Sequence, residues 1–212
     1  MTLSGTGTFD TRDVGANKTV SSTSTLGGAQ AGNYSLTQPT GLTGAITAKA
    51  LTVTADVMSK TYGEADPALT YASDGLFNGD TLTGSLTRAA GENAGTYAIG
   101  QGTLAADANY TLVFTGAALT VNKAPLVCKP ADVFSVQGLP QPPFTIGYQG
   151  FVNGETAAVL NEPPVAVSSA TAASPKGAYP ITCEGGADDN YEFVGQTGTW
   201  HILQRATLIR IH

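Results

Sequence analysis

The chain has 212 residues, 42% of them hydrophobic and only 12% charged, with 26 Gly, 11 Pro and a net charge of −6. So much apolar content with so little charge excludes a disordered acidic chain, and without a basic cluster neither counterion release nor electrostatic steering favours nucleic acid or an anionic membrane as partner. No run reaches the roughly 18 apolar residues of a membrane-spanning helix, so no direct membrane insertion is expected, and the start Met1-Thr-Leu-Ser-Gly-Thr-Gly7 lacks the charged start and apolar core of a signal peptide.

In chain order, residues 1–48 show short Thr- and Val-bearing runs at 6–9, 18–26 and 34–37, broken by Gly in the manner of strands and turns. They read as the second half of a module, whose missing half would leave an unpaired sheet edge. From Lys49 the pattern sharpens, and strands are predicted at 51–54, 69–71, 81–87, 96–99, 110–114 and 118–121, with no helix. Tyr62 to Pro67 reads as a loop, Pro67 barring a central strand; Asn78-Gly79 reads as a tight turn, and 115–117 as the bend of a hairpin. Residues 124–205 repeat this order of parts. Asn153-Gly154-Glu155 answers Asn78-Gly79-Asp80, Gly177-Ala-Tyr179 answers Gly95-Thr-Tyr97, and seven extra residues fall in the loop 161–175.

The organising stretch is an Asn-Tyr pair that begins at 33, 109 and 190, each time shortly before a Lys-Ala or Arg-Ala step: Lys49-Ala50, Lys123-Ala124 and Arg205-Ala206. Spacings of 76 and 81 residues are the mark of stacked modules. The expected division is a half module at 1–48, whole modules at 49–123 and 124–205, and the start of a following strand or module at 206–212. The fold class expected is all-β: tandem small modules of antiparallel or mixed β-structure, sandwich or β-grasp-like, in an elongated array. Almost no residues separate one module from the next, so neighbours are expected to be held at a restricted angle.

Lys49-Ala-Leu-Thr-Val53, Lys60-Thr-Tyr62-Gly63, Asp66-Pro67, Asn78-Gly79-Asp80, Gly95-Thr-Tyr97, Asn109-Tyr110 and Leu119-Thr-Val121 together resemble the MBG repeat modules of large bacterial surface and secreted adhesins, filamentous-haemagglutinin-like proteins among them. Gly5-Thr-Gly-Thr-Phe9, Lys18-Thr-Val20 and Ala31-Gly-Asn33-Tyr34-Ser-Leu-Thr-Gln-Pro39 resemble the second half of a YDG repeat. The later module departs from the pattern, with Val136-Gln137-Gly138 where Tyr62-Gly63 would stand, so its early loop is expected to differ. The resemblance implies a non-enzymatic stalk, located outside the cell or on its surface as part of an exported protein. The partners are neighbouring modules of the same chain, with a host or cell-surface glycan or protein as a further candidate. It carries over no catalytic, cofactor-binding or metal-binding residue.

The candidate residues divide between function and architecture. Tyr34, Tyr110 and Tyr191 either present rings to a glycan or fill the core with the hydroxyl on a neighbouring loop's backbone; recurrence at a strand start favours the core, with each Asn capping the preceding turn. Tyr62, Tyr148 and Trp200 are the loop aromatics that a glycan-binding alternative would use. Cys128 and Cys183 lie in the same module, and the matching places near Thr54 and Gln101 lack Cys. They are either a disulfide, stabilising by roughly 4 kcal/mol and implying an oxidising compartment, or two buried thiols. The acidic turn from Glu184 to Asn190 offers oxygen ligands without the alternation of a calcium loop and reads as solvated. His201 and His212 are too isolated from Cys for a zinc site or a Cys-His pair. No nucleophile elbow, phosphate loop or His-Glu-x-x-His motif occurs.

Overall fold

The computed structural model describes residues 1–77 and 79–205. Asn78 of the expected tight turn, and the strand expected at 206–212 with Ala206 and His212, lie outside the described residues. Among those described, the regular structure is β-strand apart from two single 3-10 turns, at Ala31–Asn33 and Ala157–Val159. The chain divides into two compact units: Met1–Asp56, Leu69–Arg88 and Ile99–Ala117 form one, while Val57–Ala68, Ala89–Ala98 and the chain from Ala118 onward form the other. Each unit therefore contains one join between successive repeats.

The first unit opens on β1 (Thr2–Phe9), β2 (Gly15–Gly27) and β3 (Thr43–Ile46), an antiparallel sheet in that order. All of β1 is exposed, and it is held by its ladder to β2 and by paired hydroxyls at Ser4–Thr25 and Thr6–Thr23, both 3.2 Å. Sequence reasoning expected a strand at 34–37, but Tyr34 ends the 3-10 turn and is 58% exposed, so Asn33-Tyr34 does not play the part of the later Asn-Tyr pairs.

The next repeat supplies β4 (Lys49–Ala55), β5 (Met58–Thr61), β6 (Tyr71–Asp74), β7 (Thr87–Arg88), β8 (Gly95–Gly100), β9 (Tyr110–Thr115) and β10 (Ala117–Asn122). In the first unit β4 is central, antiparallel to β6 and parallel to β9. Its period-two pattern buries Leu51, Val53 and Ala55, and Leu51 and Val53 form a core with Leu104, Leu82, Leu112 and Phe114. Two expectations are corrected here. The run 81–87 is not one continuous strand: Thr83 makes an isolated antiparallel bridge to Ala105, a ladder begins only at Thr87, and between them Gly84, at φ +81, leaves the extended conformation. The 115–117 bend is not a hairpin: β9 runs parallel to β4, whereas β10 runs parallel to β5 in another sheet.

The second unit holds β5, β10 and the start of β8, followed by the whole of the last repeat. Its strands are β11 (Ala124–Pro130), β12 (Val133–Val136), β13 (Ile146–Gln149), β14 (Val165–Val167), β15 (Gly177–Glu184), β16 (Tyr191–Gly195) and β17 (Gly198–Leu203). They form two sheets, in the orders β13-β11-β16 and β12-β17-β15-β14. One core gathers Ile181, Trp200 and Ile202 with Phe144, and a second gathers Tyr62, Val121, Leu126, Leu160 and Tyr191. The order β13-β11-β16 repeats β6-β4-β9, with β11 opposite Tyr191 at Ala124 as β4 is opposite Tyr110 at Lys49. Lys49 and Ala124 thus hold equivalent places, one residue away from the alignment of Lys49 with Lys123, and Cys128 replaces Val53.

Candidate functional site

The chemistry that recurs in this molecule is the chemistry of its joins. In the first unit Asn109 precedes β9, and its backbone carbonyl accepts from the Lys49 amide at 2.8 Å, so strand pairing fixes where its side chain points. That side chain reaches back to the preceding repeat: Oδ1 accepts from the Val14 amide at 2.7 Å, and Nδ2 donates to Asp13 Oδ1 at 3.3 Å. The adjacent Tyr110 hydroxyl accepts from the Phe77 amide at 2.9 Å and donates to Asp80 at 2.6 Å. Asp80 is also bound by the exposed Arg12 guanidinium. Hydrogen bonds first from Arg12 and then from Tyr110 hold the Asp80 carboxyl below its ordinary range.

The second unit repeats this set of bonds with other residues at several places. The Ala124 amide donates to the Asn190 carbonyl at 2.8 Å. Asn190 Oδ1 accepts from the Ala94 amide at 2.9 Å, and its Nδ2 donates to Asn93 Oδ1 at 3.4 Å. The Tyr191 hydroxyl accepts from the Val152 amide at 3.0 Å and donates to Glu155 at 2.5 Å, while the Tyr62 hydroxyl donates to the other Glu155 oxygen at 2.7 Å. Glu155 stands where Asp80 stands, and Tyr62 takes the part of Arg12. Burial, reinforced by the Glu155 carboxylate, pushes the Tyr191 phenol up to about 12. For Tyr62 the Glu155 hydrogen bond leads and burial follows, again raising the phenol.

The joins differ in filling. Tyr191, 2% exposed, meets Tyr62 edge-on at 5.6 Å between ring centroids and Phe151 at 5.3 Å. Such ring pairs contribute about 0.5–1.5 kcal/mol each beyond area burial. In the first unit a cleft of about 210 Å³ reaches the acid, lined by Arg12, Ile46, Lys49, Phe77, Asp80 and Tyr110, whereas the cleft of about 630 Å³ that borders Lys123 and Tyr191 in the second does not include Glu155 or Tyr62.

The hydroxyls of Tyr110 and Tyr191 bond a neighbouring loop's backbone, as the architectural alternative required. The turn-capping role given to Asn belongs instead to Asp107 and Asp188, whose side chains accept from the Asn109 and Asn190 amides at 2.8 Å. Nor is the acidic turn solvated throughout: Asp188 is 6% exposed and also accepts from the Asn161 and Tyr191 amides. Tyr62 and Trp200 are not loop aromatics open to a ligand. Tyr62 is 7% exposed, and Trp200 lies in β17 at 0% with its indole N–H donating to Ser135. Tyr148 is half-buried on β13, tilted against Phe151. His201 stacks on the exposed Phe134 ring at 4.6 Å between centroids.

Cys128 and Cys183 are free thiols facing one another between β11 and β15, and burial followed by the Cys128 contact pushes the Cys183 thiol up to about 12. Sequence reasoning missed Arg12 and the joining role of Asp80 and Glu155. The signal lies in the acid that follows Asn-Gly in both repeats, a pattern that by itself marks only a turn.

The family model described as MBG domain (YGX type) matches residues 51–120 and again 126–201, and the model described as YDG domain matches residues 1–41. The chain belongs to the MBG domain (YGX type) family. No curated protein matches it. In the first MBG domain the tripeptide of that description is Tyr62-Gly63-Glu64, and its Tyr is the residue that reaches Glu155 in the second. The second MBG domain has Gln137-Gly138-Leu139, yet the turn persists. The Leu139 amide donates to the Val136 carbonyl as the Glu64 amide does to Thr61, and Gly138 at φ +82 matches Gly63 at φ +87. The early loop expected to differ keeps the backbone of this turn and changes the side chains on both sides of the Gly, Gln137 for Tyr62 and Leu139 for Glu64.

Proposed function

We propose that these MBG domains and the YDG segment form a non-enzymatic stalk segment of a bacterial surface or secreted adhesin, holding a distal part of the protein away from the cell. The observation that carries this is the repeated Asn bridge. At both joins the Asn that starts one strand of a module is bonded to a backbone amide of the module before it, so that internal folding and alignment with the neighbour are set by the same residue. Joins this short, one residue between β10 and β11, leave little chain to swing. On the cell surface a disulfide-carrying oxidant would join Cys128 to Cys183: each thiol loses its proton, the two electrons pass to the oxidant's disulfide, and that disulfide leaves as two thiols. Small-angle scattering of the whole chain tests the stalk directly. An extended profile that broadens on Asn109→Ala with Asn190→Ala is the expected result, and a collapsed or freely jointed ensemble for the unaltered chain overturns it.

A further inference from the structure

The last MBG domain carries its own copy of the surface that the first MBG domain uses to receive its neighbour. In the occupied surface, the amide of Ala94 donates to Asn190, and Gly63 lies so close to Val152 that a Cβ there would meet that side chain at 2.5 Å. The equivalents are Lys176 and Gly138. Their equivalence rests on structure as well as alignment: the Tyr179 hydroxyl donates to the Pro175 carbonyl at 2.9 Å as the Tyr97 hydroxyl does to Asn93 at 2.7 Å, and the turns at Gly63 and Gly138 share backbone sign and hydrogen bond.

What differs is cover. Ala94 is half-buried, whereas Lys176 is exposed and its amide has no partner among the described residues. A Cβ on Gly138 would meet nothing within 4 Å, and Leu139 beside it is 51% exposed. Gln137 stands where Tyr62 donates to Glu155, and a Gln side-chain amide is a donor that can serve a carboxylate in the same way.

We propose that the surface made by Gln137, Gly138, Lys176 and Gly177 docks a further β-module of this type, recognised by two features: an Asn-Tyr pair leading a strand, and an apolar residue followed by Asn-Gly and an acid. The Asn side chain accepts from the Lys176 amide, the apolar residue closes on Gly138, and the acid takes the Gln137 amide. Pro175 supplies no side-chain acceptor for the Asn Nδ2, so this join has one hydrogen bond fewer than the two described. The proposal rests on the stalk reading and extends it to a specific surface.

The test extends the full chain after Arg205 with a second copy of residues 124–205 and follows amide hydrogen exchange. Lys176 exchange is expected to slow by about tenfold or more relative to the unextended chain, and to return to its original rate when Asn190→Ala is placed in the appended copy alone. Unchanged Lys176 exchange beside a folded appended copy overturns the docking surface. So does an appended copy that fails to fold there while the original residues 124–205 remain folded. Ala94, read in the same experiment, separates the two claims. Slow exchange at Ala94 with fast exchange at Lys176 refutes only the docking surface, whereas fast exchange at both refutes the stalk reading as well.

Discussion

The join between the YDG segment and the first MBG domain, and the join between the two MBG domains, share one hydrogen-bond scheme and differ in what surrounds it. At the first, the acid is Asp80, answered by an exposed Arg12 beside an open cleft. At the second it is Glu155, answered by two buried phenols packed edge-on. The shared part fixes geometry, and the differing part sets how strongly each join is held. A charge pair in water contributes little after screening and side-chain ordering, whereas aromatic rings removed from water contribute through area and packing.

The largest expected effect follows from that difference. Tyr191→Ala removes a ring 2% exposed from the centre of its cluster, and a loss of about 3–5 kcal/mol in unfolding free energy is expected, measured by denaturant titration. Tyr110→Ala, at a half-buried site beside a cleft, should lose clearly less; equal losses would show that filling does not distinguish the joins. Next comes the response to pH. Asp80, with its carboxyl held below the ordinary 3.8, adds stability above that pH that is lost as the pH falls through its folded value, so acid loosens the first join. Tyr191 sits at about 12 when folded and near 10 when unfolded, so its contribution is complete below about 10 and is lost as the pH rises through 12. Protection of the Val14 and Ala94 amides, taken as exchange relative to an unprotected amide at the same pH, should therefore fall in acid and in alkali respectively, and the reverse order would contradict the assignment.

Smaller effects test the shared part. Asn109→Ala and Asn190→Ala each remove one acceptor from a half-buried amide, and about 0.5–1.5 kcal/mol is expected from each. A matched pair of losses supports one scheme at two sites, and a marked inequality would break it. Smallest is Arg12→Ala. Its effect on Val14 exchange should be slight at low salt and vanish near about 1 M, where the Debye length shrinks to about 3 Å.

Much of the architecture was legible because period-two alternation and the Asn-Tyr repeat are local signals. Leu51, Val53 and the β4 strand followed from pattern alone. Sheet membership was not legible: Thr115-Gly116-Ala117 looks like a hairpin bend, and only the parallel partners β4 and β5 show that β9 and β10 belong to different sheets. Tyr62 does lie on a turn, but neither it nor Trp200, which lies in a strand, is open to a ligand, and for a related reason: their burial depends on partners remote in sequence, Glu155 and Phe144. The joins were hardest to read. Asn109 and Val14 are 95 residues apart, and nothing local to either one tells an Asn that caps its own turn from an Asn that reaches its neighbour.

The parallel pairing of the opening strand of each MBG domain with its penultimate strand, β4 with β9 and β11 with β16, bears on mechanics. Tension on the chain draws the start of one such strand and the end of the other in opposite directions. The crosslinking amides are then strained together rather than peeled apart in sequence. Pulled along that line, the ladder would yield as a unit rather than one bond at a time.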